Sequence, residues 1–195
     1  MTSNTIASHR QCREKESNSH MNEAGITLKI AKNDRAEEIY ALMKEVYEGM
    51  EDKSMFVCDD VEFVRAHIEK EGFTVIACDE ADRLTGCFIV RFPGDNNDNL
   101  GKDIGLDAEE QKKVVHMESC VVSKEARGRG LQLAMLQFAE NMIDKGKYRY
   151  FMATVDPNNP ASFRTFEKNG YRLMATKEKY AGKIRRIYLK VLQSE

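Results

Sequence analysis

The amino-acid sequence predicts a single α/β (α+β) domain with a central mixed sheet of about seven strands and about four helices. Some segments alternate apolar and polar residues, as strands do, and others repeat apolar residues every three or four positions, as amphipathic helices do. Over 114–155 a strand, a glycine-rich turn, a long helix and a second strand follow without a linker, an order that makes the two strands parallel. The 195 residues, 42% of them hydrophobic, suffice for one core, and the sequence has no internal repeat.

The chain begins with a polar segment that shows no hydrophobic period. We expect residues 1–25 to be a mobile tail and residues 26–195 to be the folded domain. Met21 is an alternative start of the chain.

The elements of the domain follow one another closely. Asn33 or Asp34 is predicted to cap a first helix whose apolar positions extend to Met50. The pair Asn159-Pro160 begins a short helix that Asn169-Gly170 ends, and residues 93–112 form an acidic excursion with six acids against two lysines. We expect two further helices over 59–70 and 131–143, and strands over 26–32, 73–78, 84–92, 114–122, 148–155, 171–176 and 184–192.

Composition excludes several classes of protein. The formal net charge of -2 argues against a nucleic-acid-binding protein. No apolar run approaches the roughly 18 residues of a membrane span, so we expect a cytoplasmic protein. The five cysteines form no CxxC motif, and the pairs His9/Cys12 and His116/Cys120 each lack a second pair, so we expect no metal site and reduced thiols at Cys12, Cys58, Cys78, Cys87 and Cys120.

The segment RGRG, at 127–130, is the first candidate binding site. Two glycines between a strand and a helix let main-chain N–H groups surround an anion, and the helix N-terminus adds positive partial charge. Arg127 and Arg129 add two full charges, so a pyrophosphate is a suitable ligand. The alternative is an ordinary turn with exposed arginines. A dinucleotide-binding GxGxxG motif and a P-loop both fail, because the third glycine and the Lys-Ser/Thr pair are missing.

These motifs resemble those of the GNAT superfamily of N-acetyltransferases. The coenzyme A signature of that family is similar to Val122, Arg127, Gly130 and Gln132, although Gln132 replaces a small residue. A second mark, an Asn-headed helix that ends in a glycine-aromatic pair, is similar to Asn159, Phe166 and Gly170-Tyr171. The resemblance covers about 26–192 by the order of elements and 118–171 by motif.

The resemblance implies a GNAT-type fold in which the parallel fourth and fifth strands splay apart. It also implies acetyl-CoA as co-substrate, an amine as acceptor and a chain that acts as monomer or homodimer. The pantetheine arm would bind the fourth-strand backbone in the gap. The implied coenzyme-binding residues are Cys120, Val121, Val122, Arg127, Gly128, Arg129, Gly130, Leu131, Gln132, Asn159 and Phe166.

Acetyl transfer to an amine needs a base, because an amine with a pKa near 10.4 is almost wholly protonated at pH 7. The stretch HMESCVV is similar to the fourth strand of glucosamine-phosphate acetyltransferases, where a Glu lies near the acceptor amine. We therefore expect Glu118 to act as base through water, with His116 as the second candidate. Strand alternation would place His116, Glu118, Cys120 and Val122 on one side of the sheet. The alternative is that Glu118 pairs with a cation and His116 donates a structural hydrogen bond.

Phe166 departs from the family pattern, since many relatives carry there the Tyr that protonates the departing thiolate. A phenyl ring cannot donate a proton, so the alternative function is a CoA-binding module with weak or no catalysis. Tyr180 and Tyr188 could approach the site from the last hairpin, whereas Tyr171 is expected in the core. Acidic residues over 48–60 and 93–112 would attract a cationic amine if both segments border the entrance. The alternative is that the positive charges of KEKYAGKIRR, at 177–186, meet an acidic acceptor or the ribose phosphate of the coenzyme.

Overall fold

A computed structural model describes residues 20–21 and 25–192, and its centre is a mixed β-sheet. The principal strands are β1 (Thr27–Ile30), β2 (Gly72–Cys78), β3 (Leu84–Arg91), β4 (Val114–Val122), β5 (Tyr150–Val155), β6 (Arg172–Lys179) and β7 (Lys183–Val191). They lie in the order β1-β2-β3-β4-β5-β7-β6, with a two-residue strand, His20–Met21, beside β1. Only β4 and β5 pair in parallel among the described strands, which confirms the predicted fold class.

The helices are α1 (Ala36–Glu48), α2 (Val61–Glu69), α3 (Ala108–Gln111), α4 (Leu131–Met142) and α5 (Pro160–Lys168). Short 3₁₀ turns span Asn33–Arg35, Lys53–Met55, Leu100–Ile104 and Lys124–Ala126. The predicted cap of α1 is wrong in detail, because Asn33 and Asp34 lie in a 3₁₀ turn and the residue before α1 is Arg35.

Helices cover both faces of the sheet. On one face, α4 contributes Leu131 and Met135 to a cluster with Phe88 and Met117. On the opposite face, α1 and α2 bury Ile39, Met43 and Val64 against Ile76, Ile89 and Val121. Burial of apolar surface contributes about 25 cal/mol per Å², so the two clusters together supply the main driving force for folding.

The strand β4 contains a bulge that reverses its faces. Pairing with β3 shifts between Phe88↔Cys120 and Val90↔Met117, so Glu118 and Ser119 together oppose one residue of β3. Beyond the bulge, Cys120 packs with Met117 on the α4 face, whereas Val121 packs on the α1–α2 face. The expectation that Cys120 and Val122 share a face with His116 is therefore wrong, because the extra residue breaks the two-residue alternation.

The parallel strands β4 and β5 separate at their carboxyl ends. Their pairing consists of Val114↔Tyr150, Val115↔Phe151 and His116↔Met152, and neither strand pairs with the other beyond those residues in the described part of the chain. Because β4 continues to Val122 and β5 to Val155, a gap opens between them. This is the splay that the sequence resemblance implied.

The opposite edge of the sheet is formed by β6, most of whose residues are exposed on both faces. The predicted tail lies outside the described residues apart from His20, Met21 and Gly25, and so does Cys12. The four cysteines that the structure does describe are free thiols. In the same part of the chain, no helix has both the length and the apolar composition that crossing a bilayer requires.

Candidate functional site

Two adjoining cavities lie where β4 and β5 separate. The larger, of about 800 Å³, extends from the gap to the N-terminus of α4. The smaller, of about 290 Å³, lies between the carboxyl ends of the strands, the α1–α2 connection and the β6–β7 turn. Both are lined by Met55, Cys120, Gln132, Asn159 and Ser162. A ligand in one cavity can therefore present a group to a ligand in the other.

The larger cavity ends at main-chain amides of the first turn of α4. Gly130 precedes the helix with a φ of 72°, and no side chain caps the helix. The first N–H groups of a helix have no intrahelical acceptor, and Leu131, Gln132 and Leu133 line the cavity. With Gly128 at a φ of 75°, the turn needs two residues that tolerate the left-handed region. This geometry suits an anion.

Most of the predicted coenzyme-binding residues line the larger cavity, but two do not. The nine that do are Cys120, Val121, Val122, Arg127, Gly128, Gly130, Leu131, Gln132 and Asn159. Arg129 lines neither cavity, and Phe166 lines the smaller one. The Arg127 Nε donates to the Val122 carbonyl oxygen over 3.3 Å, which keeps this guanidinium beside the end of β4.

Polar side chains between the cavities cap α5 and join it to α4. The Asn159 side chain accepts a hydrogen bond from the Ser162 N–H over 3.1 Å and so caps α5, which confirms the predicted capping role. The Gln132 amide donates to the Ser162 hydroxyl over 3.2 Å. The Gln132 side chain is therefore engaged by Ser162, whereas the Gln132 main chain lies in the uncapped first turn of α4.

The smaller cavity contains Glu118 and, behind it, His116. His116 is buried and lines neither cavity. Its Nε2 accepts a hydrogen bond from the Leu100 N–H over 3.0 Å, which requires the ring proton to be on Nδ1. The His116 Nδ1 lies 3.4 Å from the Glu118 Oε2, so the Nδ1–H group points a proton at the carboxylate. The arrangement gives Glu118 an open side and gives His116 a supporting role.

Charge around Glu118 keeps its carboxyl ionised. Burial acts to raise the pKa of Glu118, but the contact with His116 and the positive charge of Arg91 outweigh burial and lower the pKa below its usual value. Arg91 itself bonds to both carboxylate oxygens of Asp98, at 2.6 and 3.0 Å. Glu118 therefore has no cation of its own at bonding distance among the described residues.

Asp59, at the end of the α1–α2 connection, is a residue that sequence reasoning missed. It lines the smaller cavity. Burial and the neighbouring charges of Glu118 and Asp60 raise the pKa of Asp59 to about 6. Asp59 directly precedes Asp60, which caps α2 by accepting from the Phe63 N–H over 2.9 Å. The sequence could have indicated Asp59 through this position at the end of a loop, because loops carry many binding and catalytic residues.

Of the three tyrosines considered from the sequence, one lines the smaller cavity and two are buried in the core. Tyr180 lines the smaller cavity, and its hydroxyl lies 3.0 Å from the Thr154 hydroxyl. Burial of this hydroxyl and the negative charge of Glu118 raise the pKa of Tyr180 to about 12. Tyr188 is fully buried and donates to Glu167 over 3.0 Å. Tyr171 is a core residue, as predicted, and donates to Glu140 over 2.8 Å.

Phe166 forms an apolar wall of the smaller cavity. It is buried, with its ring edge-on to Tyr171 at 5.1 Å between centroids. The side chain therefore shapes the cavity and supplies no proton. In the described part of the chain, no group of three or more His, Cys, Asp or Glu side chains could hold a metal ion.

Comparison with known proteins identifies the family of the chain and structures of similar fold. The sequence model of the acetyltransferase (GNAT) family matches residues 36–171. A comparison with curated protein sequences finds no match.

Among solved structures, an acetyltransferase of the GNAT family from Listeria monocytogenes is 20% identical, with a TM-score of 0.68 over 90% of this chain and 100% of that chain. The structure of yncA from Salmonella typhimurium with its cofactor acetyl-CoA is 14% identical, with a TM-score of 0.63 over 88% of this chain and 96% of that chain. The structure of Arabidopsis thaliana NAA60 in complex with a bisubstrate analogue is 13% identical, with a TM-score of 0.68 over 85% of this chain and 97% of that chain.

Proposed function

The chain belongs to the GNAT family of acetyltransferases, and we propose that it transfers the acetyl group of acetyl-CoA to a primary amine of a small molecule or peptide by direct attack in a ternary complex. The observation that carries the proposal is the junction of the two cavities beside Cys120, with a partly open carboxylate, Glu118, on one side and uncapped helix amides on the other.

In this proposal acetyl-CoA occupies the larger cavity. Its diphosphate binds the amides of the first turn of α4 and the Arg127 guanidinium. Its pantetheine arm lies along Cys120, Val121 and Val122, where β4 has no partner from β5 and can accept an added strand. Acetyl-CoA in the similar yncA structure and the bisubstrate analogue in NAA60 support this use of the fold.

The acceptor amine occupies the smaller cavity and loses a proton to Glu118, through a water molecule. The amine nitrogen then forms a bond to the acetyl carbonyl carbon, and the carbon–sulfur bond breaks with its electron pair on sulfur. The nitrogen releases its second proton as the amide forms, which balances the proton that the thiolate takes up. Glu118 is ionised at neutral pH and can accept a proton, and its lowered pKa makes it a weaker base than an ordinary carboxylate. His116 acts through Glu118 as a positioning residue.

The departing thiolate needs little help, since a thiol with a pKa near 8.5 is a fair leaving group. Tyr180 is the proton donor that the cavity offers, because it remains protonated at neutral pH and lines the acceptor side. We expect Tyr180→Phe to lower turnover by less than a hundredfold, the lower end of general acid catalysis.

We also propose that the acceptor is cationic. Asp59 and Glu118 line the smaller cavity, and the two lining arginines are already engaged, Arg91 by Asp98 and Arg185 by Asp156. The lining groups therefore sum to a negative charge, which attracts an ammonium group.

The test combines coenzyme binding with turnover. Calorimetry should detect acetyl-CoA binding, and thiol release with a panel of amines should detect acceptors, cationic ones first. Glu118→Gln is expected to lower turnover at least tenfold with acetyl-CoA affinity unchanged. The matched control is Glu109→Gln, an exposed glutamate that pairs only with Lys112 among the described residues, which should behave as wild type.

Tight coenzyme binding without turnover on any amine would favour the alternative, a CoA-binding module, for which Phe166 is the supporting residue. Absence of coenzyme binding would remove both. A cytoplasmic location and a monomeric or homodimeric state stay predictions.

A further inference from the structure

The α1–α2 connection, residues 49–60, forms a wall of both cavities. Asp52 and Met55 line the larger cavity, and Met55, Phe56 and Asp59 line the smaller one. The middle of the connection is the 3₁₀ turn Lys53–Met55, which Asp52 caps by accepting from the Ser54 N–H over 2.8 Å. Contacts between this turn and the rest of the protein therefore set the position of the cavity wall.

Arg185, on β7, holds this turn from inside the protein. Its side chain is only 4% exposed. One guanidinium nitrogen, Nη2, donates to the Ser54 carbonyl oxygen over 2.6 Å, and Nη1 donates to the Asp156 carboxylate over 2.6 Å. Nη1 also donates to the Ile184 carbonyl oxygen over 2.9 Å. A planar guanidinium can serve these acceptors together, and a lysine ammonium cannot match the same fork.

Asp156, the partner of Arg185, fixes the turn between β5 and α5. The second carboxylate oxygen of Asp156 accepts from the Asn158 N–H over 2.9 Å, and the Asp156 carbonyl oxygen accepts from the Asn159 N–H over 3.0 Å. Asn159 lines both cavities. Arg185 thus connects the wall of the acceptor cavity to the turn that separates it from the larger cavity.

The ion pair alone does not account for Arg185. A buried ion pair can often be replaced by apolar residues without loss of stability, whereas removal of one partner leaves a costly buried charge. Replacement of both charged residues by neutral ones should therefore leave the stability of the protein unchanged. The neutral residue at position 185 cannot, however, donate a hydrogen bond to the Ser54 carbonyl oxygen. The two roles can be separated by substitution.

We propose that Arg185 is a positioning residue for the acceptor, which sets the 3₁₀ turn so that Met55, Phe56 and Asp59 line the cavity opposite Glu118. The effect of Arg185 on acceptor KM rests on the proposed function, whereas its hydrogen bond to the Ser54 carbonyl oxygen does not. Lys183 of the same strand approaches the Phe56 carbonyl oxygen at 3.5 Å, a weaker contact that cannot replace the fork.

The experiment compares wild type with Arg185→Met, the double variant Arg185→Met/Asp156→Asn, and Arg185→Lys. The matched control is Arg186→Met, which removes the same charge from the next residue, where the guanidinium lies 4.6 Å from the Phe163 ring centre. The readouts are thermal stability, acceptor KM and kcat, acetyl-CoA Kd, and amide hydrogen exchange over 53–57 in the absence of ligands.

We expect Arg185→Met to raise the acceptor KM at least tenfold, with kcat and acetyl-CoA Kd within threefold of wild type, and to speed exchange over 53–57. The double variant should recover thermal stability while its KM and exchange stay as in Arg185→Met, and Arg185→Lys should give an intermediate KM. Recovery of KM in the double variant, or unchanged exchange in Arg185→Met, would overturn the proposal. If wild type acetylates no amine, the proposed function fails, and hydrogen exchange alone then decides on the positioning contact.

Discussion

The two contacts of His116 can be separated by substitution. A glutamine amide reaches about as far as the ring Nε2 and can accept from the Leu100 N–H, but it loses the donor that faces Glu118. An asparagine amide reaches about as far as Nδ1 and keeps that donor, but it leaves the Leu100 N–H without its acceptor. His116→Gln and His116→Asn are therefore complementary probes of one side chain.

His116→Gln should weaken Glu118 as a base in acid solution. A well-formed hydrogen bond to a charged group contributes about 1.5–3 kcal/mol, and at 3.4 Å we take about 1 kcal/mol, a factor of about five in rate. Loss of the donor destabilises the ionised carboxylate and raises the pKa of Glu118. The acid limb of the activity profile then moves to higher pH, and activity on that limb falls about fivefold, while the plateau is unchanged.

His116→Asn should instead weaken the fold. Leu100 is buried, and a buried N–H group without an acceptor costs about 1–3 kcal/mol, or roughly 2–4 °C in Tm for each kcal/mol. The acid limb should stay where it is in wild type.

The assay is thiol release at several pH values between about 3.5 and 8 with subsaturating amine, because the lowered pKa of Glu118 places the acid limb below the ordinary value of 4.5. Calorimetric unfolding of each variant is measured at the same pH values. An acid limb that does not move in His116→Gln, or that moves equally in both variants, would refute the assigned ring orientation and the positioning role of His116.

Three further predictions concern the walls of the site. Asp59→Asn should stabilise the protein above pH 6, because the carboxyl has a pKa of about 6 when folded and 3.8 ordinarily. The full difference is about 3 kcal/mol, and partial hydration reduces it to about 1 kcal/mol. Urea unfolding should show this gain vanish as the pH falls to about 3, below both pKa values. Gly130→Ala should cost about 1–2 kcal/mol through its left-handed backbone alone, since no other described atom lies within 4 Å of an added Cβ; a loss in urea unfolding above about 4 kcal/mol would contradict that open setting. Asn159→Ala should remove the cap of α5, lower the free energy of unfolding by about 1 kcal/mol and lower Tm by roughly 2–4 °C. Asn159→Asp should keep the cap and the Tm of wild type.

The sequence predicted the order of elements well, because strands and helices carry local periodicity. It also located the glycine turn and the Asn159 cap, whose chemistry depends on residues adjacent in the chain. The bulge in β4 was not predictable in this way, since it arises from pairing with β3 and leaves the pattern of HMESCVV unchanged.

Long-range contacts account for the other differences. The role of His116 depends on Leu100, 16 residues earlier in the chain, and no periodicity connects the two. Asp59 looked like one acid among several in the connection, and its raised pKa follows from the approach of Glu118 in the fold. Arg129 appeared equivalent to Arg127 in RGRG, but the direction of each side chain is set by the turn.

The separation of β4 from β5 leaves the protein one strand short. Main-chain groups of a sheet that meet no neighbouring strand must bond to water, and on the proposed function the pantetheine arm of acetyl-CoA supplies the missing partners. A ligand that binds the native state alone adds about 2.7 kcal/mol to stability at a hundredfold excess over Kd. On the proposed function, the stability of this protein should therefore rise with the concentration of acetyl-CoA.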